Sequence, residues 1–208
     1  MSETYAQPAT SPPFAPARSS PFALAGRCLR WATATLTVAA VSIGLFFGGA
    51  GYVFGPINDV TTAATLLLMA PGVLAVRRLA AGRVGSWFSA LSFLTVAGLA
   101  VAAGGLIALV VGLITLNTSF VTGGIGILPF VAWLAAVAHI ALRRGVLTRR
   151  VGWLSLAALG ISIIAGAAGP LLPMTVLVFA VGLPLLAVLA AWLWVTGTDL
   201  LDASSTQP

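Results

Sequence analysis

Leu142 to Trp153 reads LRRGVLTRRVGW and carries Arg143, Arg144, Arg149 and Arg150 in one short stretch. The chain on either side is apolar, over 122–142 before it and 151–169 after it. At about 1.5 Å per residue each run can cross a hydrocarbon core of about 30 Å. A charged turn between two such runs is a helical hairpin whose turn lies outside the bilayer. The runs are continuously apolar and do not alternate, which favours helices over a β-barrel.

The pattern repeats along the chain. Val76 to Trp87 reads VRRLAAGRVGSW, with Arg77, Arg78 and Arg83. Arg18, Arg27 and Arg30 precede the first apolar run. These three clusters hold all 10 basic side chains, and there is no lysine. Spans are expected at 31–54, 60–76, 86–115, 122–142, 151–169 and 172–196. The fold class is therefore an all-α polytopic membrane bundle of six helices in three sequential hairpins. The second span is near the lower limit of about 17 residues. The third is overlong and must tilt, protrude or break near Gly104-Gly105. Outer connections are expected at Gly55-Pro56-Ile57-Asn58, at 116–121 and at Pro170-Leu171.

Arginine-rich loops stay in the cytoplasm. That rule places both termini and both basic turns inside. Inside, the arginines stand against Glu3, Asp199 and Asp202, a balance of +7; outside, Asp59 alone gives −1, in accord with the net +6. Composition supports the membrane class, with 60% apolar and 7% charged residues. Soluble domains carry about 25% charged residues. The basic balance points to anionic headgroups and not to nucleic acid, because the arginines sit in short loops beside the spans. Arg without Lys, amid abundant Ala and Gly, reads as a GC-rich bacterial genome, hence a bacterial cytoplasmic membrane. Residues 1–22, with five prolines among Ser, Thr and Ala, read as a disordered cytoplasmic tail, and 199–208 as a short one. The first apolar run is longer than a signal-peptide core and reads as an uncleaved anchor. Cys28, a lone thiol, permits no internal disulfide.

The hairpins share features. Trp31, Trp87 and Trp153 open the odd helices, each followed two residues later by Thr33, Ser89 or Ser155. Gly48-Gly49, Gly104-Gly105 and Gly169 lie near the far ends. Duplication explains this, and so does convergence, since any inward helix start favours Arg outside and Trp at the interface.

The stretch Ala141 to Gly160, ALRRGVLTRRVGWLSLAALG, resembles a loop-and-helix pattern of six-helix bacterial integral membrane proteins of no assigned activity, actinobacterial ones included. The likeness covers roughly a tenth of the chain. It implies the six-span architecture and brings no catalytic residues.

The expected spans contain no Asp, Glu, Lys or Arg, which removes most ion-coupled transport chemistries. One His and one Cys cannot build a four-ligand zinc site or a bis-His haem. No Ser elbow or carboxylate pair is present. The chain is therefore read as a non-enzyme without cofactor or metal. His139 is expected at the interface near Arg143. Asp59 is expected to cap the second helix.

Three sets of residues stand out. Gly182 and Pro184 should kink the last span and free the carbonyl of Ala180, and Pro71 the second span, as a kink or gate. Gly44 and Gly48, and Ala100, Gly104, Ala108 and Gly112, form small-residue stripes for close helix packing. Arg77, Arg78, Arg83, Arg143, Arg144, Arg149 and Arg150 form a face for anionic lipid or a partner protein. Two functions follow. The chain is a membrane subunit or scaffold that binds a partner, a second copy or anionic lipid. The alternative is a small transporter or channel for an uncharged or apolar solute, using the interrupted helices, and a membrane enzyme is a distant third.

Overall fold

The computed structural model describes residues 20–168 and 171–205, and every regular element among them is helical. In order they are α1 (Pro21–Leu45), a π-helical turn (Phe46–Ala50), α2 (Gly51–Ala80), α3 (Ser86–Val110), α4 (Leu116–Arg144) and α5 (Arg149–Ala168). The last rod comprises α6 (Met174–Leu177), a π-helical stretch (Val178–Gly182) and α7 (Leu183–Ser205).

Helix ends are set by glycines and hydroxyls. Ser20 Oγ accepts the Phe22 N–H at 3.2 Å, and Pro21 follows at a position where a missing donor costs nothing. α1 thus begins ten residues before Trp31, and 21–22 are helix and not tail. The rest of the expected tail, 1–19, lies outside the described residues, as do 169–170 at the third outer connection. The first turn falls at Gly49, whose φ of 107° is open to glycine alone at low cost. It does not fall at Gly55 to Asn58. α2 therefore runs straight through Pro56 and is far longer than the expected 60–76.

The third helix is likewise corrected. It passes Gly104-Gly105 unbroken and stops at Val110. Gly112, at φ 75°, ends it: Leu113 N–H reaches Ala108 O at 2.8 Å and Gly112 N–H reaches Leu109 O at 3.0 Å. This is a Schellman closure, which satisfies the last carbonyls. Thr115 then caps α4, accepting the Thr118 N–H at 3.3 Å. The expected loop 116–121 is consequently the first turns of a helix. At the other end of the chain, α7 continues to Ser205, through most of the expected tail.

Each helix packs on its sequence neighbours, α1 on α2, α2 on α3, α3 on α4, α4 on α5 and α5 on α7; α7 returns to α1. The result is a closed ring of six antiparallel rods. Five are long and apolar enough to cross a membrane: Pro21–Gly49, Val53–Ala80, Ser86–Val110, Leu116–Arg144 and Thr175–Ser205. α5, with 20 residues, is not among them.

Two glycine pairs seat the closest crossings. A side chain on Gly98 would overlap the Gly126 carbonyl oxygen, joining α3 to α4. A side chain on Gly26 would lie 2.7 Å from Gly197 O, joining α1 to α7. Small residues permit such approach where apolar lipid offers no hydrophobic drive between helices. The largely aliphatic core between the rods holds an aromatic cluster. Phe130 and Trp133 stack at 6.1 Å, and Trp133 and Trp192 meet edge-on at 6.0 Å. Both indoles are fully buried, and each Nε1–H is met. Trp133 donates to Ser92 Oγ at 3.1 Å and Trp192 to Ser155 Oγ at 2.8 Å. Each serine in turn donates to its own helix, to Phe88 O and Val151 O.

Those two locks bear on the repeat. The third hairpin uses Ser155, which belongs to the Trp-anchored register. The second uses Ser92, one turn beyond Ser89. The glycine pairs diverge as well: Gly49 makes a turn, whereas Gly105 abuts the Thr122 side chain.

Candidate functional site

The ring brings the described arginines, from Arg27 to Arg150, to one end. Arg30 Nη2 reaches Thr198 Oγ1 at 3.4 Å, tying the start of α1 to the end of α7. Arg77 Nη1 donates to Ser89 Oγ at 2.7 Å, and Arg144 Nη1 to Arg83 O at 3.2 Å. Asp199 Oδ2 accepts the Thr148 N–H at 2.8 Å, fixing the α4–α5 turn to α7. Two of these arginines lie against rings: Arg77 sits 4.5 Å above Phe93 and Arg30 4.8 Å above Trp194. Contacts at this range are attractive through the ring quadrupole. Arg27, Arg78, Arg83, Arg143, Arg144, Arg149 and Arg150 are exposed. Asp199 and Asp202 are the described acids at this end, so positive charge dominates it. Trp31, Trp87 and Trp153 are also exposed, at the same level. Aromatic residues collect at a membrane–water boundary in this way.

A small pocket of about 140 Å³ opens within this face at the α2–α3 turn, lined by Arg77, Arg78, Ser86 and Ser89 among others. Gly85 precedes α3 and offers no side-chain cap. Gly85 and Ser86 put the start of α3 in the wall of this recess, which is basic and hydroxyl-lined, an arrangement suited to phosphate oxygens.

A second cavity, about 550 Å³, lies inside the ring. Its walls come from α2 (Thr62, Thr65, Met69), α4 (Gly124, Leu128, Leu134), α5 (Ser162, Ile163) and α7 (Leu185, Leu189, Leu193), with Leu36 from α1. The aromatic cluster closes it toward the arginine end, since Phe130 is part of its wall and packs on Trp133 and Trp192.

The expected gate is not part of this cavity. A π-helical stretch over Val178–Gly182 does interrupt the last rod, and Leu183 N–H bonds Val178 O. The wider turn accommodates Pro184, which has no N–H for Ala180 O. Ala180 and Pro184 are both exposed on the outside, and neither lines the cavity. Gly182 has only Leu177 O, at 3.8 Å, near its Cβ position. Pro71 sits inside an unbroken α2, where Gly72 receives the Leu29 side chain.

The small-residue stripes are corrected in the same way. A methyl group on Gly104 or Gly112 would meet nothing within 4 Å, nor would one on Gly44 or Gly48. Ala100 and Gly104 are exposed, and Ala108 is half-buried. The face of α3 that meets α4 carries Gly98, Ala102 and Gly105 instead. Both sets have nearly the same spacing, and only the rotation of the helix separates them. Asp59 does not cap a helix. It lies half-buried inside α2, where Asn58 Nδ2 donates to its Oδ1 at 3.3 Å. A carboxylate therefore does lie within a long apolar helix, contrary to the expectation. His139 is exposed near the arginine end of α4, far along the bundle from Asp59.

No protein family, curated protein or solved structure matches the chain. The residues that sequence missed are the Ser92–Trp133 and Ser155–Trp192 pairs, the two glycine crossings and the inner cavity.

Proposed function

We propose that the chain is a six-span protein of a bacterial cytoplasmic membrane, with both termini and both basic turns inside. It serves as a non-catalytic subunit or scaffold whose arginine end holds anionic lipid headgroups and presents them, or itself, to a partner. The likeness of residues 141–160 to six-helix bacterial membrane proteins belongs to the same reading. The observation that carries it is the convergence of Arg77, Arg78, Ser86 and Ser89 on one recess at the uncapped start of α3. Each arginine near an anionic surface contributes about 1 kcal/mol. Asp59 and His139 stand toward opposite ends of the ring, so they form no acid–base pair. The transporter alternative loses its original support, because Pro184 and the Ala180 carbonyl face outward.

Native mass spectrometry of delipidated protein, titrated with phosphatidylglycerol or phosphatidylcholine, tests the proposal. Retained phosphatidylglycerol, reduced in Arg78→Gln and Arg83→Gln, is the expected result. Equal retention of both lipids, unaffected by the substitutions, refutes it.

A further inference from the structure

The inner cavity has no role in that reading, and its chemistry is different. Its lining is leucine, isoleucine, valine, methionine and phenylalanine, with Gly124, Ala165 and three hydroxyl residues. Two of those hydroxyls are turned onto their own helices: Thr65 Oγ1 donates to Thr61 O at 2.8 Å, and Ser162 Oγ to Ala158 O at 2.8 Å. Thr65 Oγ1 also meets Thr35 Oγ1 at 2.8 Å, across the α1–α2 contact. A polar solute would therefore find little to replace its water shell, and the transfer would be costly.

The cavity opens sideways. Near the arginine end α4 and α5 touch closely, since a side chain on Gly152 would lie 2.7 Å from Leu142. Farther along, Leu128 of α4 and Ile163 of α5 both line the cavity, yet they are 65% and 62% exposed. The helices part there. Leu128 lies sixteen residues before Arg144 and Ile163 fourteen after Arg149, which places the opening about 21–24 Å from the arginine line. That depth falls in the far half of a hydrocarbon core about 30 Å thick. Whatever enters by this route comes from the bilayer interior and not from water.

We infer that the cavity is a binding site for a hydrocarbon chain of a membrane lipid, admitted from the leaflet opposite the arginines through the gap between α4 and α5. The volume lies within the range of about 300–1,000 Å³ typical of small-ligand sites. The floor formed by Leu134, Leu193 and the aromatic cluster stops the chain short of the arginine end. The site rests on the membrane reading but not on the arginine recess.

The test uses full-length protein in liposomes containing a phosphatidylcholine with a diazirine near the end of one acyl chain. The neutral headgroup keeps the arginine recess out of the experiment. Adducts mapped by mass spectrometry are expected on Met69 and Leu193, inside the ring, as well as on Leu128 and Ile163 at the opening. Gly124→Phe and Ala165→Phe fill the cavity from different helices. Each should cut the inner adducts several-fold while leaving outward-facing adducts unchanged. Wild-type adducts confined to outward-facing residues overturn the inference, whatever the variants do. So do inner adducts that persist undiminished in both filled variants. Loss of phosphatidylglycerol selectivity at the arginine end, with inner adducts intact, would count against the scaffold reading alone.

Discussion

Gly98 and Gly104 sit on the same helix and differ only in which way they face, which makes them a matched pair. A methyl group on Gly98 would overlap the Gly126 carbonyl oxygen and lie 3.3 Å from Pro129 Cγ. A backbone oxygen cannot swing aside as a side chain can, so α3 and α4 would have to separate. Overpacking of this kind costs about 1–3 kcal/mol. A methyl on Gly104 meets nothing within 4 Å. Both substitutions gain the same helix propensity, up to about 1 kcal/mol for Gly→Ala. Their difference is therefore the packing cost alone, about 1–3 kcal/mol. At about 2–4 °C per kcal/mol for a chain of this length, Gly98→Ala should melt about 2–12 °C below Gly104→Ala. Thermal unfolding in detergent, followed by near-UV circular dichroism of the buried indoles, measures it. Equal melting temperatures would mean that α3 and α4 do not approach at these glycines, and the ring geometry would fall with them.

Other outcomes are as definite. Ser155→Ala leaves the buried Trp192 Nε1–H without its acceptor and should cost about 1–3 kcal/mol. Ser155→Ala with Trp192→Phe should recover part of that loss in a double-mutant cycle of melting temperatures, and strict additivity would deny the bond. Pro184→Ala should leave inner-cavity adducts unchanged, because the proline faces outward; altered adducts would restore the gate. With Cys28 replaced, an impermeant maleimide on intact cells should label Asn117→Cys and spare Ala81→Cys. Label on Ala81→Cys would reverse the orientation.

The helical class and the gathering of arginines at one end were legible, because charge beside long apolar runs has one low-cost arrangement in a bilayer. The turns were not. Gly49 and Gly112 reverse the chain within sequence that is as apolar as the helices it joins, and the only mark is a glycine at positive φ. In a chain with 23 glycines that mark is common. Pro56, the more conspicuous signal, proved compatible with α2 near its start. One misplaced turn then moved Asp59 from an expected cap into a helix interior.

The inward faces were hidden for a deeper reason. In a soluble helix the core side is apolar and the other side polar, so periodicity reports rotation. Here Leu99 is fully buried and Val101 is 51% exposed, and the two are chemically alike. Lipid and core accept the same residues, so the stripe through Ala100 and Gly104 could not be told from the stripe through Gly98 and Ala102. Rotation is carried instead by the few groups that cannot face lipid unmet. Ser92 and Trp133 satisfy one another, as do Ser155 and Trp192, and Thr95 Oγ1 lies 3.1 Å from Pro129 O. Each such bond joins two helices that neighbour each other in the ring. Buried hydroxyls and indoles thus set the rotation of these helices, and glycines set how closely they approach. The cavity opens where α4 and α5 carry no such tie: Gly124 meets no neighbour, Ser162 bonds its own helix, and the facing residues are Leu128 and Ile163.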